Sequence, residues 1–335
     1  MISLNHMEKY KSAKFIFVVG IGGSDLASKA VWNAITLHKT DVEKKVFFLE
    51  APDVREYEEV RDLINNTIVV KEDLALITVS KSGSTEETLE THHKIFDILS
   101  EKFGPSIEDR VLVISTKDSP LWQLATEKNI EHIEWALGVG GRFSAFTVAH
   151  TSVLSIAGLN VSAFLLGSKE TDTTAVSHLA EELFEHYKKG INILDFFIFN
   201  SELEDLGKWS RQLLAESLSS ITPTVSIGPT DLHSMLELYL GGPKNRFTIF
   251  LCSMDEISGT VNKSAYEKVT AAYTEAELPF MKYEIEKMDE KNLGSFMEFL
   301  IQTTLELARL MEVDPYDQPK VEEYKSNIKN ELDII

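Results

Sequence analysis

The stretch LALITVSKSGSTEET, residues 74–88, decides the fold of this chain. Its first six residues, LALITV, are apolar and partly β-branched, which is typical of a strand buried on both faces of a sheet. The polar turn SKSGST, residues 80–85, comes next, and an amphipathic stretch follows over residues 86–103. The order of strand, turn and helix predicts one unit of a parallel sheet with helices packed on its faces.

The same alternation of strands and helices runs along the whole chain. In the first half we predict the strands Phe15–Gly20, Val46–Glu50, Leu74–Val79 and Val111–Ser115. In the second half we predict the strands Asn192–Phe199, Thr224–Ile227, Phe247–Cys252 and Phe280–Ile285. Helical stretches separate the strands of each set, so the sequence predicts an α/β fold with two doubly wound parallel sheets.

The region between the two sets, Leu159 to Thr174, contains Gly167, Ser168 and several threonines. We interpret it as the joint between two domains, residues 1–165 with the SKSGST turn and residues 166–335 with the C-terminal helix. Ligands of such sheets bind beyond the carboxyl ends of the strands, so we expect a site in the crevice between the domains.

Composition restricts the class of protein. The 335 residues are 43% hydrophobic and 26% charged, which fits two globular domains. The net charge of −20 makes nucleic acids and anionic membranes poor partners. The sequence has no run of about 18 apolar residues and no signal-peptide core at its start. Cys252 is the only cysteine, so we expect a cytoplasmic protein without an intrachain disulfide.

The glycine turn VVGIGGSD, residues 18–25, suits close approach of the backbone to a ligand. Gly20 and Gly22 match a dinucleotide fingerprint, Gly-x-Gly-x-x-Gly, and Glu50 ends the next strand as that motif requires. However, Asp25 occupies the third glycine position. A nicotinamide cofactor is therefore weakly indicated, and a tight strand-to-helix turn is an equal alternative.

The SKSGST turn itself has two interpretations. In the first, three hydroxyls and a lysine surround the start of a helix and could bind a phosphate. These residues are Ser80, Lys81, Ser82 and Thr85. Ser84 and Glu87, however, have the spacing of a capping box, which predicts a helix start at Thr85 and an ordinary structural turn. Two polar turns after strands of one sheet favour a ligand.

Two charged residues in the middle of the chain are candidates for a site. Arg142, in the turn GVGGRFS at residues 138–144, could reach an oxyanion with its planar fork of donors, although a surface arginine is the simpler alternative. Glu216 continues the apolar helical face of Trp209 and Leu213. A carboxylate in that position could act as a general base, or it could simply reach water from the helix end.

Two more candidates lie near the C-terminus. His233, in GPTDLHSMLELY at residues 228–239, is predicted in the first turn of a helix, where an imidazole could transfer protons. A lone histidine is more often structural. Lys325 flanks a helix that Pro319 opens, with an apolar stripe of Val321, Tyr324, Ile328 and Leu332. Most lysines in such a position have no role in a site: they pack their aliphatic stem on the apolar stripe and keep the ammonium group in water.

In chain order, GIGGSD, SKSGSTEET, GGRFS, TDLHS and DPYDQPKVEEYK resemble the motifs of the phosphoglucose isomerase family in its bacterial type. The resemblance extends from Val18 to about Lys329. It implies two flavodoxin-like sugar-isomerase (SIS) domains packed against each other. It also implies an isomerase of glucose 6-phosphate and fructose 6-phosphate in glycolysis and gluconeogenesis, a homodimer, and no metal or organic cofactor.

The resemblance also implies roles for individual residues. Glu216 resembles the base that moves a proton between C1 and C2, and Arg142 the group that stabilises the enediolate. His233 and Lys325 resemble the ring-opening pair, with His233 supplied by the neighbouring subunit. The remaining residues implied to contact the sugar or its phosphate are Gly23, Ser24, Ser80, Lys81, Ser82, Thr85 and Gln318.

The chain departs from the family pattern in three places. The glutamate motif usually reads GESEGK, whereas residues 215–220 read AESLSS. Lys320 replaces the glycine of DQPGVE. The first predicted strand begins at Phe15, so we expect the usual N-terminal helical segment to be absent.

Two alternatives to an isomerase stay open from the sequence. A non-catalytic sugar-phosphate sensor could keep the phosphate turn and lose the base, although Glu216, His233, Arg142 and Lys325 are all retained. An NAD-dependent oxidoreductase, indicated by Gly20, Gly22 and Glu50, is the weaker alternative, because Asp25 replaces the third glycine and the later motifs count against it.

Overall fold

The computed structural model describes residues 4–321 and residue 323. These residues form two parallel β-sheets. The strands of the first sheet are β1 (Phe15–Val19), β2 (Lys45–Leu49), β3 (Leu74–Ser80), β4 (Val111–Ser115) and β5 (Glu131–Glu134). The strands of the second sheet are β6 (Ile193–Ile198), β7 (Thr222–Ile227), β8 (Arg246–Ser253) and β9 (Phe280–Ile285).

Helices connect and cover the strands. Those of the first half are α1 (Leu26–Thr36), α2 (Val54–Thr67), α3 (Glu86–Phe103), α4 (Pro120–Glu127), α5 (Val148–Ala157) and α6 (Val161–Lys169). Those of the second half are α7 (Thr173–Lys188), α8 (Glu204–Ser217), α9 (Leu236–Gly241), α10 (Met254–Ile257), α11 (Val261–Glu275) and α12 (Glu290–Leu310). Short 3-10 turns at Gly22–Ser24 and Gly141–Phe143 lie beside the candidate site, and a third, Thr230–Leu232, follows β7.

The first sheet has the strand order β2-β1-β3-β4-β5, and every pair is parallel. This is the flavodoxin-like order, in which the direction of winding reverses between β1 and β3. Val19 pairs with Thr78, so the turns over residues 20–25 and 80–85 leave the same edge of the sheet side by side. The fold therefore brings the glycine turn and the SKSGST turn together.

The apolar character of the strands follows from burial on both faces. In β1, Phe17 and Val19 belong to the core on one face, and Ile16 and Val18 belong to the core on the other. All residues of β3 are buried. A strand covered on both faces cannot alternate apolar and polar residues, which explains the continuous run LALITV.

The second sheet has the order β7-β6-β8-β9, again with parallel pairs. Its core joins that of the first half through α1 and α8, since Val31 and Leu213 lie in one buried cluster. The Asn33 amide also donates to the Asp205 carboxylate across 2.6 Å. This contact fixes the first turn of α8 against the helix that follows the glycine turn, and Glu216 lies at the other end of α8.

The predicted class, two parallel-sheet α/β domains of the SIS fold, is confirmed, and all eight predicted strands occur within two residues of their predicted ends. Strand β5 was not predicted. The predicted joint contains helix α6, and the division at residue 165 stays a prediction. None of the helices in the described part of the chain is both long and apolar enough to cross a membrane.

Candidate functional site

The glycine turn after β1 contacts the turn that carries Arg142. A Cβ atom at Gly23 would lie only 2.5 Å from the carbonyl carbon of Gly141, closer than real Cβ atoms approach. The Ser144 hydroxyl lies 2.6 Å from the Gly141 oxygen and 3.1 Å from the Gly23 oxygen. The motifs GIGGSD and GGRFS thus form one surface, and the absence of a side chain at Gly23 permits their contact.

The SKSGST turn gathers its hydroxyls in one place. Thr85 Oγ1 lies 3.4 Å from Ser80 Oγ and 3.3 Å from Ser82 Oγ. The turn requires Gly83, whose φ is +61° and whose Cβ would lie 2.2 Å from Ser119 Oγ. Ser82 is exposed, so the cluster of hydroxyls opens to solvent at the start of α3.

The predicted capping box is wrong. Helix α3 begins at Glu86, and its N-cap is Thr85 instead of Ser84. Within the described chain no side chain caps this helix. The reason is that the Thr85 hydroxyl contacts those of Ser80 and Ser82, whereas the Ser84 amide donates to Ser82 Oγ at 3.2 Å. The amide groups of the first turn of α3 stay available to an anion.

Arg142 is a buried arginine, so the alternative of a surface arginine is wrong. Its side chain is only 4% exposed. Its Nε donates to Ser217 Oγ at 2.9 Å, its Nη1 donates to Glu216 Oε2 at 3.3 Å, and its Nη2 donates to the Pro315 carbonyl. Burial lowers the pKa of Arg142 and the Glu216 carboxylate counteracts this, so the guanidinium keeps its charge at neutral pH.

The Glu216 carboxylate lies at the end of α8 and is 31% exposed. Gln212 Nε2 donates to Oε1 at 2.8 Å, and Gln318 Nε2 donates to Oε2 at 2.7 Å. Together with Arg142 these donors fix the orientation of the carboxylate while part of it stays open to solvent. A carboxylate held in this way can accept a proton from a ligand without first reorienting.

His233 does not lie in the first turn of a helix, contrary to the prediction. It follows the 3-10 turn Thr230–Leu232, and α9 begins only at Leu236. Asp231 holds the chain in this path, since its carboxylate accepts from the Ile227 amide at 2.7 Å and the Ser234 hydroxyl at 2.8 Å. The His233 side chain is exposed, and no hydrogen bond or ion pair among the described residues joins it to Glu216 or Arg142.

The remaining predicted residues are distributed as follows. Ser24 is half-buried in the glycine turn, and Lys81 is exposed beside the hydroxyl cluster. Thr116 Oγ1 donates to the Lys81 carbonyl at 2.6 Å and fixes the backbone there. Pro319 opens a helical turn, as predicted. Lys325 lies outside the described residues, as do Tyr324, Ile328 and Leu332.

Sequence reasoning missed two residues of the site. Gln212 lies one helical turn before Glu216 and bonds to it, and its Nε2 would lie 3.0 Å from a Cβ at Gly22. Ser217 accepts the hydrogen bond from Arg142 Nε. The signal for Gln212 was its spacing of four residues from Glu216, which places both on one helical face.

The candidate site combines a turn lined with hydroxyls, at an uncapped helix start, with a carboxylate and a buried guanidinium. No group of three or more His, Cys, Asp or Glu side chains in the described ranges could hold a metal ion. The two doubly wound sheets, with this site at the carboxyl edge of the first, define a two-domain protein of the SIS fold.

Comparisons with known proteins identify the family. The model of the family described as phosphoglucose isomerase matches residues 6–197, so the chain belongs to that family. The glucose-6-phosphate isomerase of Campylobacter jejuni is 28% identical over 98% of this chain and 88% of its own length.

Two solved structures show the same fold. A hypothetical protein from Thermus thermophilus has a TM-score of 0.86 at 23% identity, covering 99% of this chain and 88% of its own. A glucose-6-phosphate isomerase from Chlamydia trachomatis has a TM-score of 0.83 at 18% identity, covering 98% of this chain and 72% of its own.

Proposed function

We propose that this chain catalyses the aldose–ketose isomerisation between glucose 6-phosphate and fructose 6-phosphate, with Glu216 as the base. The observation that carries the proposal is the partly exposed Glu216 carboxylate, held by Arg142, Gln212 and Gln318. This chemistry needs a base that reaches two adjacent carbons and a cation near the oxygen that becomes negative. Membership in the phosphoglucose isomerase family supports the same reaction.

In the proposed mechanism Glu216 takes the proton from C2 of the open-chain aldose. The C–H electron pair becomes the C1–C2 double bond, and the carbonyl electrons move to O1, which gives an enediolate. Glu216 then returns the proton to C1, while the O2 hydroxyl loses its proton and O1 gains one. Since the same carboxylate serves both carbons, its orientation must be restrained, and Gln212 and Gln318 supply that restraint.

Arg142 is proposed to stabilise the enediolate. Three of its five N–H donors are used by Ser217, Glu216 and Pro315. The others can face a developing oxyanion beside the carboxylate. Because the guanidinium is almost completely buried, its interaction with that charge is screened less by water than it would be at the surface.

The SKSGST turn is proposed to hold the phosphate. The hydroxyls of Ser80, Ser82 and Thr85 and the uncapped amides of α3 supply donors, and Lys81 adds a positive charge nearby. Gly23 and Ser24 are proposed to line the sugar. A phosphate fixed far from the reacting carbons orients the sugar towards Glu216, which is how remote binding energy assists the reaction.

Ring opening is proposed to use His233 from a second subunit, together with Lys325. The His233 side chain is exposed, so a neighbouring subunit of a homodimer could receive it. Mixing His233→Ala protein with Glu216→Gln protein tests this arrangement. If sites are shared, mixed dimers recover part of the activity that each variant lacks; no recovery after exchange of subunits contradicts it.

To test the reaction, the chain is given fructose 6-phosphate, and a coupled dehydrogenase reports the glucose 6-phosphate that is formed. We expect turnover by the native chain and a loss of roughly 10²–10⁴-fold in kcat for Glu216→Gln, the usual contribution of a general base. Glu204→Gln is the matched control, because Glu204 lies on the same helix but is 46% exposed and paired with Lys208. Unchanged activity of Glu216→Gln would reject Glu216 as the base.

The same experiment separates the isomerase from the two alternatives. Binding of fructose 6-phosphate without turnover by the native chain would favour a sugar-phosphate sensor. Tight binding of NADH would favour an oxidoreductase. The Glu50 carboxylate lies 2.6 Å from Lys29 Nζ, and the side chain is 40% exposed.

A further inference from the structure

A buried histidine that the proposed mechanism does not use lies beneath the site. His150, in α5, has an exposed fraction of 0%. Its ring lies between the glycine turn that ends at Asp25 and the turn that carries Arg142. Burial lowers the pKa of His150 to about 4, so the imidazole is neutral at pH 7.

The neighbours of the ring determine which nitrogen carries the proton. The Ser28 amide, a donor, lies 3.2 Å from Nδ1, so Nδ1 accepts. The Gly23 carbonyl, an acceptor, lies 3.1 Å from Nε2, so Nε2 carries the proton and donates. The Ser144 hydroxyl lies 2.9 Å from the same Nε2. His150 is therefore the Nε2–H tautomer, with both nitrogens satisfied.

The acceptor side of the ring replaces a missing helix cap. Asp25 is the N-cap residue of α1, yet in the described structure its side chain caps none of the first amides. Ser28 is the third residue of α1, and its amide would otherwise lack a partner. His150 Nδ1 supplies that partner and so holds the start of α1 against α5.

The donor side of the ring holds the two turns of the site together. The Gly23 carbonyl bonds to His150, and Ser144, two residues after Arg142, lies beside the same nitrogen. At this point the backbones of Gly23 and Gly141 are in direct contact. A change in the ring would move the sugar-lining turn relative to Arg142. The SKSGST turn makes no hydrogen bond to His150 among the described residues.

We infer that His150 is a positioning residue, whose neutral Nε2–H group sets the Gly23–Ser24 turn against the Arg142 turn without contributing to the phosphate turn. This inference rests on the proposed function, because it assigns those two turns to the sugar and its reacting carbons. It predicts that loss of the Nε2 donor weakens recognition of the sugar and leaves recognition of phosphate unchanged.

Two substitutions separate the two ends of the ring. In His150→Asn the amide oxygen can replace Nδ1 as the acceptor of the Ser28 amide, but the shorter side chain does not reach Gly23, which keeps only the Ser144 hydroxyl as a donor. In His150→Gln the longer side chain can bring its amide N–H to the Nε2 position and restore the bond to Gly23. His178→Asn is the control, because His178 is exposed on α7.

Calorimetry would measure the affinity of each variant for two probes, inorganic phosphate and 6-phosphogluconate, a sugar acid that cannot isomerise. We expect His150→Asn to bind 6-phosphogluconate about tenfold more weakly, the effect of about one buried hydrogen bond. Its affinity for inorganic phosphate should change less than about twofold, because the SKSGST turn is not bonded to the ring. His150→Gln should recover most of the loss, and kcat with fructose 6-phosphate should follow the same order.

Several results would overturn the inference. One is equal loss of affinity for both probes in His150→Asn, and another is equal behaviour of the Asn and Gln variants, which would indicate packing alone. If the Asn variant does not fold, the tautomer of His150 in the native protein, read from nitrogen-15 NMR, decides. A proton on Nδ1 rejects the inference. The binding and NMR measurements need no turnover, so an inactive native chain would reject the proposed function separately.

Discussion

Replacing Arg142 by lysine keeps the positive charge of the site but removes the planar fork of donors. The guanidinium uses three different nitrogens to bond Ser217 Oγ at 2.9 Å, Glu216 Oε2 at 3.3 Å and the Pro315 carbonyl. A single ammonium group cannot reach three acceptors arranged around a plane, and at best it keeps one. Arg142→Lys therefore removes two charge-assisted hydrogen bonds.

The magnitude follows from those two bonds. A hydrogen bond to a charged group contributes about 1.5–3 kcal/mol, so the lower limit for two is about 3 kcal/mol of folding free energy. At about 2–4 °C per kcal/mol for a cooperative unit of this size, we expect the unfolding midpoint to fall by roughly 6–12 °C. The loss of a preorganised donor at a developing oxyanion typically lowers kcat about 10²–10³-fold.

The assay combines steady-state kinetics with fructose 6-phosphate and thermal unfolding of the same preparation. KM should change little, because the proposed phosphate contacts lie on the SKSGST turn. Arg211→Lys is the matched control, since Arg211 lies on α8 and is exposed. Two results would refute the assignment of Arg142 to the enediolate. One is a kcat within about threefold of the native value, far from the loss expected for an oxyanion donor. The other is a large rise in KM at unchanged kcat.

Three further predictions follow from other contacts. Ser82→Ala should raise KM for fructose 6-phosphate at nearly constant kcat, and an unchanged KM in steady-state kinetics would contradict the phosphate turn. Burial raises the pKa of Asp25 well above its ordinary value, so the folded chain binds this proton more tightly and stability falls as pH rises above about 4. Asp25→Asn should therefore raise the thermal midpoint at pH 8 but hardly at pH 4, whereas the exposed control Asp41→Asn should change neither midpoint. Burial lowers the pKa of His92 to about 3, so stability should fall as pH drops from about 6.5 towards 3. Denaturant titrations across that range should show a smaller fall for His92→Asn than for the native chain or the exposed control His93→Asn.

The sequence revealed most of the fold because most strands are buried on both faces. Leu74–Ser80 and Val111–Ser115 are nearly continuous apolar runs, a pattern typical of strands that are buried on both faces. Strand β5, EHIE, lies at the edge of its sheet. Ile133 is its only apolar residue, and the other three side chains are charged or polar. Edge strands need little apolar surface and often carry charges, so no hydrophobic pattern was present to identify it.

The candidate site was predictable in its parts but not in its assembly. Arg142 and Glu216 were separate candidates, 74 positions apart, and the packing of α8 against α1 and against the turn Gly141–Phe143 brings them together. Gln212 was visible as a residue one turn from Glu216, but its approach to Gly22 depends on the same packing. Periodicity predicts which face of a helix is buried, whereas the contacts of a polar side chain between two domains depend on how the domains dock.

The local rules that failed are informative about function. Asp53 and Thr147 cap α2 and α5, since their side chains accept hydrogen bonds from amides of the first turn. By contrast, Asp25 and Thr85, the N-cap residues of α1 and α3, cap nothing in the described chain. These two helices follow β1 and β3, the strands between which the winding of the sheet reverses. Local rules that fail together at one place are expected where a site constrains the backbone, so these helix starts support the same location for the sugar phosphate as the glycine and SKSGST turns.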